Sequence, residues 1–295
     1  MDLALQLLVV GLSQAAIYSM VATGFGLVLA VSHIFHFAHA AIFALAGFLA
    51  YAFIMQLGLP FWLGFVLTAI LTVAAGLLIQ LYIYAPLKRR NSGTFALVLA
   101  SIGMQFAIEN LIALGWGTGG RYLENPFGGV FYQIGTVIIS LTDIVTLTVA
   151  IAGFGATMLF LKATRIGRAM MAYADNPTMA EVVGINPTLV SAVAISIASL
   201  LVVPAAIATG WYSSLVPTMG LTPLLYAVAA VVVGGIGSTV GAFLGAFMLG
   251  LLAAMISLQL PAFWSDTIAF LIMMVVVVWR PSGLLGNIGA ARAAR

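Results

Sequence analysis

The chain has 295 residues, 64% hydrophobic and 6% charged, with ten basic, seven acidic and no cysteine side chains. Soluble domains carry roughly 25% charged residues, so this polypeptide cannot present a water-compatible surface all round and reads as an integral membrane protein. Disulfides and thiolate metal sites are excluded. The formal net charge of +3 sits at the ends of apolar runs, not in a patch suited to nucleic acid, and the surface facing those runs must be membrane lipid.

A spanning helix needs about 20 apolar residues. The expectation is an all-α polytopic bundle of about eight to nine spans, including discontinuous or re-entrant half-helices, in one transmembrane domain over residues 1–295. Apolar runs fall at 3–31, 34–57, 61–84, 95–114, 134–161, 189–211, 224–233, 240–258 and 267–279. They read as helices because unpaired strand edges cannot face lipid. The first residues lack the basic region of a cleavable signal, so the first helix is expected to be retained.

Lys88, Arg89 and Arg90 form one basic loop, Lys162, Arg165 and Arg168 a second, and Arg280, Arg292 and Arg295 lie near the end. By the excess of Lys and Arg in cytoplasmic loops, all three face the cytoplasm, including a tail over 281–295. The loop 115–133, with Arg121 against Glu124, fits outside. The side of Met1 stays open, because parity turns on the segment 32–40.

That segment interrupts apolar sequence with His33, His36 and His39, at spacings of three. On a helix they would share one broad arc. A metal site is conceivable, but no carboxylate lies within twenty residues. The alternatives are a polar translocation path through His36, Phe37 and His39 or an interfacial turn with structural histidines. The run 224–233 is too short to cross about 30 Å at 1.5 Å per residue, and it meets Gly234-Gly235-Ile236-Gly237-Ser238. Broken spans of this kind point to a central site in transporters, which puts Gly234, Gly235, Gly237 and Ser238 on the expected path. Gly237, Gly241 and Gly245, beside Ala242, Ala246 and Gly250, predict close helix packing, either within the chain or against a second subunit.

Glu109 with Asn110 is a costly carboxylate within a span. It reads either as an ion relay on the path or as an outer-interface group bonded to Asn110 or Gln105. Asp143 and Asp266 read as interfacial. The long polar interlude 165–186 carries Arg165, Arg168, Asp175 and Glu181. Asp175-Asn176-Pro177 can cap a second helix, and Gly184 ends it. An amphipathic helical pair too polar to insert suits docking into a soluble partner's groove; a solvated connector is the alternative.

The run Thr164-Arg165-Ile166-Gly167-Arg168-Ala169, with Ala172, Asp175-Asn176-Pro177, Ala180 and Gly184-Ile185-Asn186, resembles the cytoplasmic loop of branched-chain amino-acid-type ABC importer permeases. So do Gly11-Leu12, Ala16-Ile17-Tyr18-Ser19-Met20, Phe37-Ala38-His39 and Gly234–Ser238 with Gly241-Ala242 and Gly245, spread from about residue 11 to Leu285. The resemblance implies a bacterial inner-membrane permease subunit, paired with a homologous permease or a second copy. Two cytoplasmic ATPase subunits using ATP and Mg, and a periplasmic solute-binding protein, would complete the system. This chain would bind no cofactor and hold no catalytic centre, and it has no GxxxxGK[ST] phosphate loop.

In that reading the loop 162–187 couples to the ATPases through Arg165, Gly167, Arg168, Ala172, Asp175, Asn176, Ala180, Glu181 and Gly184. Gly167 would let the backbone turn, and Asn176 would cap. His36 stands where the family usually has Asn, Ala40 where it has Gly, and Met171 where a basic residue is common. The implied solute is a branched-chain or other hydrophobic amino acid, with urea, amides or aromatic acids as alternatives. An ion-coupled secondary transporter is the competing class.

Overall fold

The computed structural model describes residues 2–256, 263–280, 283 and 285. In chain order the helices are α1 (Asp2–Ser32), α2 (Ala38–Tyr51), α3 (Phe61–Ile79), α4 (Ala85–Arg89) and α5 (Thr94–Trp116). A hairpin of β1 (Phe131–Ile134) and β2 (Val137–Ser140) follows, then α6 (Leu141–Ala163), α7 (Arg165–Asp175), α8 (Pro177–Val182), α9 (Pro187–Tyr212), α10 (Leu221–Gly234), α11 (Thr239–Ile256) and α12 (Phe263–Trp279). α2 runs on into a π turn, Ala52–Gln56, and α3 into another, Gln80–Tyr84. Among the described residues seven helices are long and apolar enough to cross a membrane. α10, at 14 residues, is a half-helix, as its length in the sequence implies.

α1 is the axis of the molecule. It is buried almost continuously from Ala15 to Ser32, and α6, α9, α10 and α11 pack around it. Its two ends are fixed by different chemistry. At one end the Lys88 ammonium donates to the Ser32 carbonyl at 2.7 Å, a positive charge on an otherwise orphaned helix C-terminus. At the other, the Gln6 carboxamide donates to the Ile138 carbonyl at 3.0 Å and accepts from the Ile138 amide at 2.9 Å. The bundle therefore has a basic end and a hairpin end, and α1 runs from hairpin to basic.

The hairpin corrects the reading of 134–161 as one helix: residues 134–140 are strand and turn, and α6 begins only at Leu141. Phe131 pairs with Ser140 and Ile134 with Val137, leaving Gly135 and Thr136 as a two-residue loop. Gly135 has φ +63°, the positive dihedral such a loop needs at its first position. β-Branched Val137, Ile138 and Ile139 favour strand over helix. Apolarity alone concealed that preference.

Asp143 is more than an interfacial charge. It closes a capping box with Ser140 at the start of α6. Its Oδ1 also accepts from Ser13 Oγ of α1 at 2.6 Å and from Tyr212 Oη of α9 at 2.7 Å. One carboxylate thus clasps three helices at the hairpin end. The Asp266 side chain lies outside the described residues.

The glycine stripe packs within the chain. A Cβ on Gly241 would strike the Gly234 carbonyl, one on Gly245 the Ala230 carbonyl, and one on Gly250 the backbone of Ala15. These contacts seat α11 on α10 and α1 with no room for side chains. Gly237 does not belong to the stripe. It lies in the loop between α10 and α11 with φ +92° and nothing nearby, so its role there is conformational.

Candidate functional site

Three features of the fold depart from a simple lipid-facing bundle. The first is the helical pair at the basic end. Thr164 caps α7, its Oγ1 accepting from the Gly167 amide at 2.9 Å. Asn176 caps α8, its Oδ1 accepting from the Met179 amide at 3.1 Å with Pro177 at the first helical position. Gly184, at φ +89°, follows the end of α8. Gly167, Met170, Tyr173 and Ala180 turn inward onto the bundle.

Gly167 does not turn the chain, as the resemblance implied. It sits in the first turn of α7, where a Cβ would collide with Phe160 and Leu161 backbone, so it is needed for close approach of α7 to the end of α6. Tyr173 Oη donates to Glu181 Oε1 at 3.2 Å and ties the two helices. Burial, and then the Glu181 charge, push its phenol up. Outward stand Arg165, Arg168, Ala172, Asp175, Asn176 and Glu181. With them stand Ile166, Met171, Met179, Val182 and Val183, the last two 77% and 76% exposed.

The second feature is the break between α1 and α2. His33 takes φ +54°, a left-handed conformation that His tolerates better than most residues. It is exposed at the basic end, and partial burial together with the nearby Lys88 ammonium lowers its pKa. The three histidines do not share one helical arc, because the helix is broken between them. Among the described residues no group of three His, Cys, Asp or Glu could hold a metal. His36 and His39 are fully buried, their rings 5.7 Å apart; Phe37, at the N-terminus of α2, is half-buried with its ring 6.4 Å from that of Phe35.

Two residues that no sequence motif ties to the histidines complete this network. His36 Nδ1 lies 2.8 Å from Tyr84 Oη, which donates to Ser101 Oγ at 2.9 Å, and Ser101 also accepts from the Ala38 amide at 3.0 Å. With the Tyr84 proton on Ser101, His36 Nδ1 is the donor to Tyr84. His39 Nε2 donates to the Val21 carbonyl at 3.3 Å. The remaining nitrogens, His36 Nε2 and His39 Nδ1, are then bare lone pairs, buried and without a partner. Tyr84 ends the π turn after α3, and only its place at the end of an apolar run could have hinted at this role.

The third feature is α10. A Cβ on Gly220 would strike the Ala40 carbonyl, so the half-helix starts against the first turn of α2. Gly234, Gly235, Gly237 and Ser238 lie at its other end, about 20 Å away along 14 residues. There the Leu285 amide donates to the Gly234 carbonyl at 3.0 Å, and Ser238 Oγ accepts from the Gly241 amide at 3.0 Å as the cap of α11. The glycine loop and the histidine pair are thus not one site.

Glu109 is separate again. It is eight residues beyond Ser101 on α5, about 12 Å along the helix. Its Oε1 accepts from Gln105 at 3.2 Å, while Asn110 turns away to bond the Phe106 carbonyl.

A helical bundle whose long spans are interrupted at two places, with a capped amphipathic pair at its basic end, is the build of a membrane transport subunit. The family model for the branched-chain amino acid transport system permease component matches residues 7–277, and the chain belongs to that family. It is 27% identical over 291 residues to the high-affinity branched-chain amino acid transport system permease protein LivH of Escherichia coli, covering 94% of each chain. It is 29% identical to the corresponding protein BraD of Pseudomonas aeruginosa, covering 96% of each.

A shorter match, 28% over 190 residues, joins it to the autoinducer 2 import system permease protein LsrC of E. coli, covering 62% of this chain and 54% of that one. Among solved structures, PsaBC from Streptococcus pneumoniae in complex with Fab matches with TM-score 0.51 and 18% identity, over 90% of this chain and 89% of that one. That likeness is one of fold alone. The chain is a multi-pass membrane permease component.

Proposed function

We propose that this chain is the inner-membrane permease of an ATP-driven importer for amino acids with aliphatic side chains, and that α7 and α8 are where its ATPase partner pushes. The observation that carries the reading is the outward face of that pair. Met171, Met179, Val182 and Val183 are apolar and exposed, beside Arg165 and Arg168. The inward face meanwhile anchors the pair on the bundle. An element at the charge-rich end, capped at both helix starts and bound to α1, α6 and α9, can transmit a push to the membrane core.

On this reading the basic end faces the cytoplasm, by the Lys and Arg of its turns. The amino terminus and hairpin then lie outside, where a solute-binding protein would deliver its cargo. ATP and Mg would be used by the ATPases and not by this chain. A homologous permease or a second copy would complete the pair. The names of the LivH and BraD relatives support the solute class.

The test uses membranes from cells producing the complete importer. Val182→Asp with Val183→Asp, and separately Arg168→Glu, should release the ATPases from the membrane fraction and stop ATP-dependent leucine uptake, while the permease stays inserted. Undiminished uptake with the ATPases still bound would overturn the coupling assignment.

A further inference from the structure

Just below the Asp143 clasp at the hairpin end, the bundle holds a cavity of about 120 Å³. Pro204, Ile207, Ala208 and Trp211 form its floor. They recur at i, i+3, i+4 and i+7 and so share one face of α9. Phe61 and Trp62 of α3 belong to one wall, Thr146 and Val149 of α6 to the other, and Met20 of α1 lies between the helices. α3 rests on α9, and α6 rests on α1 and α9. The α9 face beneath them carries the short Pro204 and Ala208, which leave the space between the two walls unfilled.

The clasp sets the depth. Ser13, Asp143 and Tyr212 meet within hydrogen-bond distance. Met20 stands seven residues from Ser13, Val149 six from Asp143 and Pro204 eight from Tyr212, about 9–12 Å deeper along each helix. A hydrocarbon core is about 30 Å thick, so the cavity lies within the depth of one leaflet.

Its rim faces sideways. At the hairpin end the rings of Phe61, Phe127 and Trp211 close it, their centroids 5.6, 5.9 and 6.1 Å apart. On the two walls, Trp62 and Val149 are 71% and 36% exposed. Every exposed residue of α3 is large and apolar, Val66 and Ile70 next along the helix among them. That is the surface lipid meets.

The lining has no charge. The Thr146 hydroxyl already donates to the Thr142 carbonyl at 2.8 Å. An amino acid seated here would leave its ammonium and carboxylate unpaired, at a large cost. Apolar cavities of about this size take up hydrocarbon and not water. One polar group does ask for a partner: Trp211 Nε1 is buried and has no acceptor, and such groups are normally hydrogen-bonded. A ligand for this site therefore brings an apolar chain with an oxygen at its outer end, and the rim opens onto molecules of that build.

We propose that the cavity binds one acyl chain of an outer-leaflet phospholipid, entering sideways between α3 and α6, with an ester carbonyl accepting from Trp211 Nε1. The seated chain fills the space between α3 and α6 and joins them across α9. The choice of leaflet rests on the orientation proposed above; the site itself does not.

The probe is phosphatidylglycerol with a photoactivatable diazirine midway along one acyl chain, supplied to the outer leaflet of right-side-out vesicles holding the complete importer. Adducts are mapped by peptide mass spectrometry after irradiation. Met20 and Ile207 are 2% and 1% exposed, so lipid sliding over the surface does not reach them, whereas Val66 and Ile70 report that surface lipid. Adducts on Met20 or Ile207 are expected. Ala208→Phe, and separately Val145→Phe from the α6 wall, should lower them about tenfold or more, the worth of about two buried methylenes. Adducts on Val66 and Ile70 should stay. Trp211→Phe keeps a ring and removes the N–H, and should lower the buried adducts about fivefold.

Adducts confined to Val66 and Ile70 in the parent would overturn the site. So would loss of the Met20 and Ile207 adducts when leucine is added, which would assign the cavity to the solute. Buried adducts formed only when the probe enters from the opposite leaflet would overturn the leaflet, and with it the orientation proposed above, while the site stands.

Discussion

Two halves of the bundle bury polar and small residues by opposite rules. Around α1, α10 and α11, backbones touch through Gly241, Gly245 and Gly250, and hydroxyls such as Ser19 and Thr23 close onto their own helix. Among the described residues there, no buried side-chain polar atom lacks a hydrogen-bond partner. At the seam between α3 and α9 the same kinds of residue, Thr72, Gly76 and Ser199, face one another without bonding. The first arrangement is a finished interface with one geometry. The second leaves polar groups unpaired. The two regions differ in how hydroxyls are spent.

The contrast is broken most directly in the rigid half. Gly241→Val would force a branched side chain into the Gly234 carbonyl, backbone that no rotamer change can move aside. Overpacking costs typically 1–3 kcal/mol and occasionally more. This site should lie at the upper end, about 3 kcal/mol, seen as loss of the monodisperse folded peak in detergent. Gly76→Ala is the matching change at the seam. Its Cβ meets a serine hydroxyl that can rotate away, so it should cost clearly less. Equal losses at the two positions would remove the distinction between the halves.

Next in size is Asp143→Ala. It unties α1 and α9 from α6 by leaving Ser13, Tyr212 and the Ser140 amide without their acceptor. Hydrogen bonds to charged groups are worth about 1.5–3 kcal/mol each, and partial exposure to water at this end returns some of that. A net loss of about 2 kcal/mol in thermal unfolding is expected, with Asp143→Asn retaining part of it. A change confined to transport, with unaltered stability, would show that the clasp is not structural.

Much of this architecture was legible as apolar run length and turn chemistry. The break at His33, the short α10, the Asn176 cap and the Gly184 stop all follow from residue types acting on their own neighbours. What escaped was long-range. Tyr84 joins His36 from 48 residues away and Ser101 joins Ala38 from 63 residues away, and no local pattern encodes such a meeting. The hairpin was lost because Val and Ile serve strand and span alike. The repeat Thr68, Thr72, Gly76, Gln80 stood in plain view, but its meaning depends on the unbonded Ser199 across the seam. Gly237 was misplaced for a related reason: a spacing of four cannot tell a helix face from a loop that needs positive φ.

At the seam the expected stability effect is smaller and opposite in sign. Thr72→Val replaces an unpaired hydroxyl with a methyl of similar volume, so stability should hold or rise by up to about 1 kcal/mol. Thr157→Val, on a hydroxyl that bonds the Gly153 carbonyl at 2.8 Å, should give no such gain. Melting curves of the two variants side by side decide it. A loss at Thr72 larger than that at Thr157 would mean that the Thr72 hydroxyl is already satisfied at rest.

The smallest effect belongs to His33, between the two halves. Its φ of +54° costs of order 1 kcal/mol for a residue with a Cβ, so His33→Gly should stabilise by about half that, after glycine's larger loss of chain entropy. His33→Val should destabilise. A second signature is pH. The His33 pKa is lowered from 6.5 by burial and by Lys88, so the unfolded chain binds the proton more readily than the folded one. Stability from this group is complete above about pH 6.5 and declines as the pH falls through the window beneath it. His33→Gln should therefore show a shallower acid decline than the parent. Water screens this exposed end, so only the difference between the two melting-temperature profiles carries the signal, and identical slopes would mean that neither burial nor Lys88 disfavours the charged imidazole.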